Sequence, residues 1–146
     1  MRAGMKAIVI GCGRVGATVA LQLAASGWDI TAIDQNEDSL GRLGESWTGG
    51  FVVGHGMDLD VLDRAGVAGA DAAVVSTDGD NSNVVIGQML QRRYEIGCVV
   101  VRVFDPRRAD FYAERGLRTV CPTKTSIATL ADIVRACDAA PVGSTG

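Results

Sequence analysis

Short apolar runs alternate along the chain with longer segments in which apolar residues recur every three or four positions. The runs are rich in Val and Ile, which is typical of strands buried in a parallel sheet. We therefore predict strands over residues 6–11, 28–33, 51–53, 72–75, 98–103 and 117–120. The segments between and after them have the period of amphipathic helices. They predict helices over 14–26, from about 36 to 43, and over 58–65, 79–92, 106–115 and 125–137.

Strand and helix thus alternate six times, and this alternation requires a parallel sheet with helices on both faces. The expected architecture is α/β, a Rossmann-like doubly wound sheet of six strands in the order 3-2-1-4-5-6 with an extra C-terminal helix. In such a sheet a ligand binds beside the first and fourth strands, where the strand order reverses.

A glycine-rich turn joins the first strand to the first helix. Residues 11–16 read Gly-Cys-Gly-Arg-Val-Gly, a G-x-G-x-x-G pattern. Gly11 permits the tight turn, Gly13 lets backbone approach a pyrophosphate, and Gly16 lets the helix pack closely on the strand. The following helix N-terminus offers unpaired N–H groups to a phosphate. The pattern with its flanking strand and helix predicts a dinucleotide site.

The second strand ends at Asp34, 18 residues after Gly16. An acid in this place accepts hydrogen bonds from ribose hydroxyls. It should also repel a 2′-phosphate, because like charges would meet in a partly desolvated site. We therefore expect NAD(H) or ATP/ADP as ligand rather than NADP(H).

The last predicted helix carries an apolar stripe formed by Ile127, Leu130, Val134 and Cys137. Because the sheet is already complete, this stripe packs either on its own domain or on a partner subunit. We expect the domain to occupy residues 1–137, with 138–146 as a linker or disordered tail rich in small residues.

Composition excludes several classes of protein. A net charge of −3 argues against a nucleic-acid-binding surface. No apolar run approaches the ~20 residues of a membrane span, and no signal peptide precedes the first strand. The four cysteines show no metal-ligand spacing, so we predict free thiols, no metal site and a cytoplasmic location.

Candidate catalytic residues are scarce. The chain has one histidine, His55, and it has no tyrosine–lysine pair at the spacing of short-chain dehydrogenases. His55 follows a strand end between two glycines, so we place it at the adenine side of a nucleotide. No catalytic residue is predicted. An NAD(H)-dependent oxidoreductase fragment stays open as the alternative, as does a nucleotide-binding scaffold of other purpose.

Six segments resemble the RCK/KTN N-terminal domain, the nucleotide-binding module that regulates potassium channels and Trk/Ktr-type potassium uptake systems. They are GCGRVG at 11–16, the acid Asp34, GHGMD at 54–58, STDGDN at 76–81, VVVRVFDP at 99–106 and GLRTVCPT at 116–123. The resemblance covers about residues 5–137. The family often carries an acid where this chain has His55, and it usually adds a C-terminal ligand domain. The chain is thus either a single-domain member or ends before such a domain.

The resemblance implies that the glycine turn, with Arg14 and Val15, holds the phosphates and that Asp34 holds the ribose. Residues 54–58 would border the adenine, residues 76–78 would form the opposite rim, and Arg102 would reach toward phosphate. The predicted nucleotide-contacting residues are Gly11, Gly13, Arg14, Val15, Gly16, Asp34, Gln35, Gly54, His55, Gly56, Asp58, Ser76, Thr77, Asp78 and Arg102.

The resemblance also implies a function and its partners. We expect a regulatory subunit or domain that binds NAD(H) or an adenine nucleotide and gates a membrane potassium transporter or channel. It would lie at the inner face of the cell membrane through that partner, without inserting into the bilayer. It would form a homodimer or larger ring through the C-terminal helix.

Overall fold

Six parallel strands form one sheet within residues 4–138, which the computed structural model describes. The strands are β1 (Lys6–Ile10), β2 (Asp29–Asp34), β3 (Gly50–Val53), β4 (Ala72–Val75), β5 (Cys98–Arg102) and β6 (Arg118–Val120). Their order is β3-β2-β1-β4-β5-β6, which confirms the predicted doubly wound fold. The strand order reverses between β1 and β4, where Ala7 pairs with Ala72 and Ile10 with Val75.

Helices follow the strands in sequence. They are α1 (Arg14–Ala25), α2 (Leu40–Leu43, preceded by a 3-10 turn over Glu37–Ser39), α3 (Leu59–Arg64), α4 (Asp80–Arg92), α5 (Pro106–Ala113) and α6 (Pro122–Asp138). Each of the predicted helices is present, with bounds that differ by a few residues. α6 begins at Pro122 instead of residue 125, because proline is well tolerated in the first turn of a helix.

The core has two halves because successive side chains of a strand point to opposite faces of the sheet. From β1, Ile8 and Ile10 enter the cluster that α3, α4 and α5 cover. Ala7 and Val9 enter the cluster that α1 and α2 cover. All four side chains are at most 1% exposed, as expected for a strand buried on both faces. The central strand therefore holds the glycine turn in a fixed place.

Two local expectations require correction or completion. Ser76, Thr77 and Asp78 are residue types that favour helix caps, and their place before α4 predicts that they cap it. That prediction is wrong, because the N-cap of α4 is Gly79 and no side chain caps it. The predicted tail over 138–146 lies outside the described residues except for Asp138, where α6 ends.

The apolar stripe of α6 does not pack on the described part of its own domain. Ile127 is 60% exposed, and Leu130 and Val134 are each 66% exposed. Of the two alternatives that the sequence left open, the structure therefore argues against burial of the stripe by residues 4–138.

Candidate functional site

A cavity of about 390 Å³ opens at the carboxyl ends of β1, β2, β3 and β4. This is the edge of the sheet at which doubly wound folds bind their ligands. Ten of the predicted contact residues line it: Gly11, Gly13, Asp34, Gln35, Gly54, His55, Gly56, Ser76, Thr77 and Asp78. The structure thus brings together four separate sequence segments that were assigned to one site.

The glycine turn has three glycines with three different surroundings. Gly11 has a φ of +92°, and a Cβ there would lie 2.7 Å from the backbone of Ser76 and Thr77. A Cβ on Gly16 would lie 1.7 Å from the carbonyl oxygen of Gly11. Gly13 has no atom within 4 Å of its Cβ position. Gly11 and Gly16 are therefore required by the protein itself, whereas the space beside Gly13 is open to a ligand.

The N-terminus of α1 carries no group of the protein that would compete with an anion. Its N-cap, Gly13, provides no side-chain hydrogen bond, and the first turn contains no acidic residue. The N–H groups of the first turn therefore have no capping side chain, and no acidic residue in that turn offsets the positive end of the helix dipole. Arg14 and Val15 lie in this first turn, but both are exposed and neither lines the cavity.

The Asp34 carboxylate is fixed by the glycine turn. One of its oxygens accepts a hydrogen bond from the backbone N–H of Cys12 at 2.7 Å, and the other accepts one from Asn36 at 2.8 Å. Each carboxylate oxygen can accept a second bond. Asp34 can therefore bind ribose hydroxyls while its position relative to the turn stays constant.

A buried asparagine holds the opposite rim of the cavity. Asn83 of α4 is fully buried, and its side-chain oxygen accepts hydrogen bonds from the backbone N–H and the hydroxyl of Thr77. Its amide nitrogen donates to the carbonyl oxygens of Thr77 at 3.0 Å and Arg102 at 2.9 Å. Every hydrogen-bonding position of this amide is filled. Sequence reasoning missed it, although a lone amide among the apolar positions of α4 was a signal.

Arg102 lies beneath this rim and does not line the cavity. Its Nη2 donates to the carbonyl oxygens of Ser76 at 3.0 Å and Thr77 at 3.1 Å, and it lies 3.8 Å from the exposed carboxylate of Asp78. The guanidinium also lies over the ring of Phe104, 4.7 Å from its centroid. In this structure Arg102 binds the backbone that follows β4.

The loop after β3 contributes backbone and one imidazole to the cavity. His55 Nδ1 accepts the N–H of Met57 at 3.1 Å, so the opposite ring nitrogen is the donor. Asp58 does not line the cavity; it caps α3 by accepting the N–H of Asp60 at 2.9 Å. Within residues 4–138 no carboxylate is hydrogen-bonded to the imidazole.

Four polar side chains outside the predicted contact set also line the cavity: Asn36, Ser39, Arg42 and Ser82. Nη1 of Arg42 donates to Ser39 Oγ at 3.0 Å and to the Cys12 carbonyl oxygen at 3.4 Å. Ser39 and Arg42 belong to the segment after β2, so their only signal was their position shortly after Asp34.

Cys12 lies inside the glycine turn, and its thiol is unreactive. Burial, with the neighbouring charge of Asp34, raises the pKa of its thiol to about 12. The neutral thiol is a poor nucleophile and a poor metal ligand. Across the described part of the chain, no group of three His, Cys, Asp or Glu residues is placed to hold a metal ion. Nor do residues 4–138 include a helix with the length and apolarity needed to cross a bilayer.

Comparison with known proteins agrees with this architecture. The family model described as the TrkA-N domain matches residues 7–123. The Trk system potassium uptake protein TrkA of Streptomyces coelicolor is 37% identical over 120 residues, which cover 82% of this chain and 54% of that protein. The chain thus spans about half the length of this relative.

Solved structures share the fold at lower identity. The Kef C-terminal domain of Shewanella denitrificans in its AMP-bound form has a TM-score of 0.74 and 24% identity, covering 86% of this chain and 76% of that one. GsuK bound to ADP has a TM-score of 0.75 and 20% identity, covering 88% of this chain and 33% of that one. At this identity the likeness extends to the fold alone.

Proposed function

This chain belongs to the TrkA-N domain family, and from that premise we propose that it is a nucleotide-sensing regulatory domain of potassium transport. It binds NAD(H) or ATP/ADP and thereby gates a potassium transporter or channel in the membrane. The name of the Streptomyces coelicolor relative supports the link to potassium uptake. The AMP-bound and ADP-bound structures of the same fold support an adenine nucleotide as ligand. Through its transporter partner the domain lies at the cytoplasmic face of the membrane.

The observation that carries the nucleotide proposal is that a phosphate-binding group and a ribose-binding group meet the same cavity. The bare N-terminus of α1 lies at one end and attracts phosphate, while the fixed carboxylate of Asp34 accepts from ribose hydroxyls. Gly13 leaves room between them for a pyrophosphate. Gly54, Gly56 and His55 border the adenine, and Ser76, Thr77 and Asp78 form the opposite rim.

The alternative, an oxidoreductase fragment, needs a group that moves protons in step with hydride transfer. His55 is the one imidazole of the chain, and its Nδ1 already accepts a backbone hydrogen bond. We therefore propose a domain that binds its nucleotide without converting it.

Calorimetric titration with NADH, NAD, ATP, ADP and AMP tests this proposal. We expect saturable binding of at least one of them, and no loss of NADH absorbance during prolonged incubation. The matched variant is Gly13→Ala, which has space for its methyl group in the free protein but places it where the pyrophosphate lies. It should fold normally and bind at least tenfold more weakly. Wild-type protein that binds none of the five nucleotides contradicts the proposal, and steady NADH oxidation favours the enzyme instead.

The stripe of α6 is proposed as the contact through which two copies assemble into a homodimer, or further into a ring. Ligand binding can regulate only if one conformation binds better than another. An interface between two copies offers such alternatives, whereas one rigid domain offers few. The nucleotide then changes the angle between the paired domains.

The double variant Leu130→Asp and Val134→Asp tests this contact, because it places unpaired carboxylates in the apolar stripe. Sedimentation should show a dimer for the wild type and a monomer for the variant, with nucleotide affinity unchanged. Ala128→Asp, exposed on the opposite side of α6, is the control and should remain dimeric. Wild-type protein that is monomeric at high micromolar concentration contradicts the proposed interface.

A further inference from the structure

The positively charged side chain of Arg42 lies in the same cavity as Asp34, the acid that was expected to exclude 2′-phosphorylated ligands. Arg42 lies on the wall formed by the segment after β2. Its two hydrogen bonds, to Ser39 Oγ and to the Cys12 carbonyl oxygen, hold the guanidinium between α2 and the glycine turn. The arginine is therefore anchored at the edge of the cavity where the ribose is proposed to lie.

The anchoring leaves most of the guanidinium available. An arginine carries five N–H donors, and both of its hydrogen bonds to described residues come from Nη1. Within the part of the chain that the structure describes, no ion pair joins Arg42 to Asp34. Each carboxylate oxygen of Asp34 is instead engaged by a backbone N–H. The two opposite charges thus face the same space without neutralising each other by contact.

The two charges favour different groups at the 2′ position of the ligand's ribose. A carboxylate at the end of β2 accepts from the 2′-hydroxyl of adenosine and repels a phosphate there, while a nearby arginine accommodates a 2′-phosphate. An arginine recognises a phosphate through charge-assisted, often bidentate, hydrogen bonds. Asp34 considered alone predicts strong exclusion of NADP(H), but Asp34 beside Arg42 does not.

We propose that Arg42 is a specificity-determining residue whose guanidinium, supported by Ser39, offsets Asp34 at the 2′ position of the ribose. The inference rests on the proposed nucleotide site. Its consequence is that 2′-phosphorylated adenosine compounds bind within about tenfold of their unphosphorylated counterparts. The selectivity of the site is then set by the balance between the two side chains.

The test is the ratio of dissociation constants for NADP and NAD, measured by calorimetry on the whole chain. Arg42→Ala should raise this ratio by about tenfold to a hundredfold, the factor that one charge-assisted hydrogen bond represents. Arg42→Lys keeps the charge but not the fork, so an intermediate ratio is expected. Arg92→Ala removes an exposed arginine at the end of α4 and should leave the ratio unchanged. The pair adenosine 2′,5′-bisphosphate and 5′-AMP repeats the comparison without the nicotinamide half.

The outcomes separate this inference from the function on which it rests. If the wild type binds no nucleotide, both fall. If it binds NAD but Arg42→Ala weakens NAD and NADP equally, the arginine contacts a part common to both and only this inference is overturned. A wild-type ratio clearly above tenfold overturns it as well. Should Arg42→Ala fail to fold, Arg42→Lys and Arg42→Gln give the same comparison with the side-chain stem retained.

Discussion

Adding one methyl group at Gly16 should damage the fold, whereas the same change at Gly13 should damage only binding. A Cβ at position 16 would lie 1.7 Å from the carbonyl oxygen of Gly11 and 2.9 Å from Ser76 Oγ. That carbonyl also accepts the hydrogen bond of the Ser76 hydroxyl at 3.1 Å. The methyl group therefore pushes α1 away from the turn at the place where β1 and β4 are joined.

The size of the effect follows from these distances. Ordinary contact begins near 3.4 Å, so the helix and the turn must separate by about 1.7 Å. Ala17 and Ala20, which are 3% and 0% exposed on the same helix, would lose their packing on the sheet. Overpacking typically costs 1–3 kcal/mol, and the higher helix propensity of alanine returns up to about 1 kcal/mol. We expect a net loss of roughly 2–3 kcal/mol for Gly16→Ala because the obstacle is backbone.

Urea denaturation and thermal melting of the wild type, Gly16→Ala and Gly13→Ala measure this difference in unfolding free energy. For a domain of this size each kcal/mol corresponds to on the order of 4 °C, so the melting temperature of Gly16→Ala should fall by roughly 10 °C. Gly13 has a φ of −71° and open space, so its variant should stay within about 1 kcal/mol of the wild type. An unchanged midpoint for Gly16→Ala, or an equal loss in both variants, would refute the reasoning.

Three further changes probe other parts of the site. Arg14→Ala removes a cation from the first turn of α1 and should weaken most the ligand with most phosphate charge, by roughly 1.5–3 kcal/mol. If calorimetry shows that the variant binds every nucleotide as tightly as the wild type does, Arg14 is a solvent-exposed residue with no role in binding. Asn83→Leu leaves the Thr77 backbone groups without their buried partner. Chemical denaturation should therefore show that the free energy of unfolding falls by about 2–4 kcal/mol, which is more than the loss of a single hydrogen bond costs. The raised pKa of Cys12 predicts that iodoacetamide at pH 8 modifies exposed Cys137 quickly and Cys12 only after unfolding, which peptide mass spectrometry resolves; rapid labelling of Cys12 in the folded protein would contradict its burial.

The fold was predictable because its signals are local. The apolar run before the glycine turn, the turn itself and the acid at the end of β2 each constrain the residues next to them. The sheet order was then the one expected for the dinucleotide-binding fold that the glycine turn indicates. Most of the residues that line the cavity were predicted to form one site, since the carboxyl ends of parallel strands meet at one edge of the sheet.

The remainder depends on contacts between distant residues. Ser76, Thr77 and Asp78 have the composition of a helix cap, but Asn83 engages Thr77 from below and Gly79 takes the cap position. Arg42 meets the Cys12 carbonyl oxygen across 30 positions of sequence, which no spacing rule connects. Such pairs are set by how helices pack on the finished sheet.

The central place of β1 gives the cavity a late position in the order of folding. β1 is connected to β2 through α1, and their paired residues, such as Ala7 and Ile30, are 23 positions apart. Its pairing with β4 joins residues 65 positions apart, such as Ala7 and Ala72. Closing the longer loop costs more chain entropy, and contacts of this range slow the folding of parallel sheets. Because the rims that carry Asp34 and Thr77 meet only after this pairing, a partly folded chain has no binding cavity. If the proposed nucleotide site is correct, we therefore expect the nucleotide to slow the unfolding of the completed sheet rather than to speed its formation.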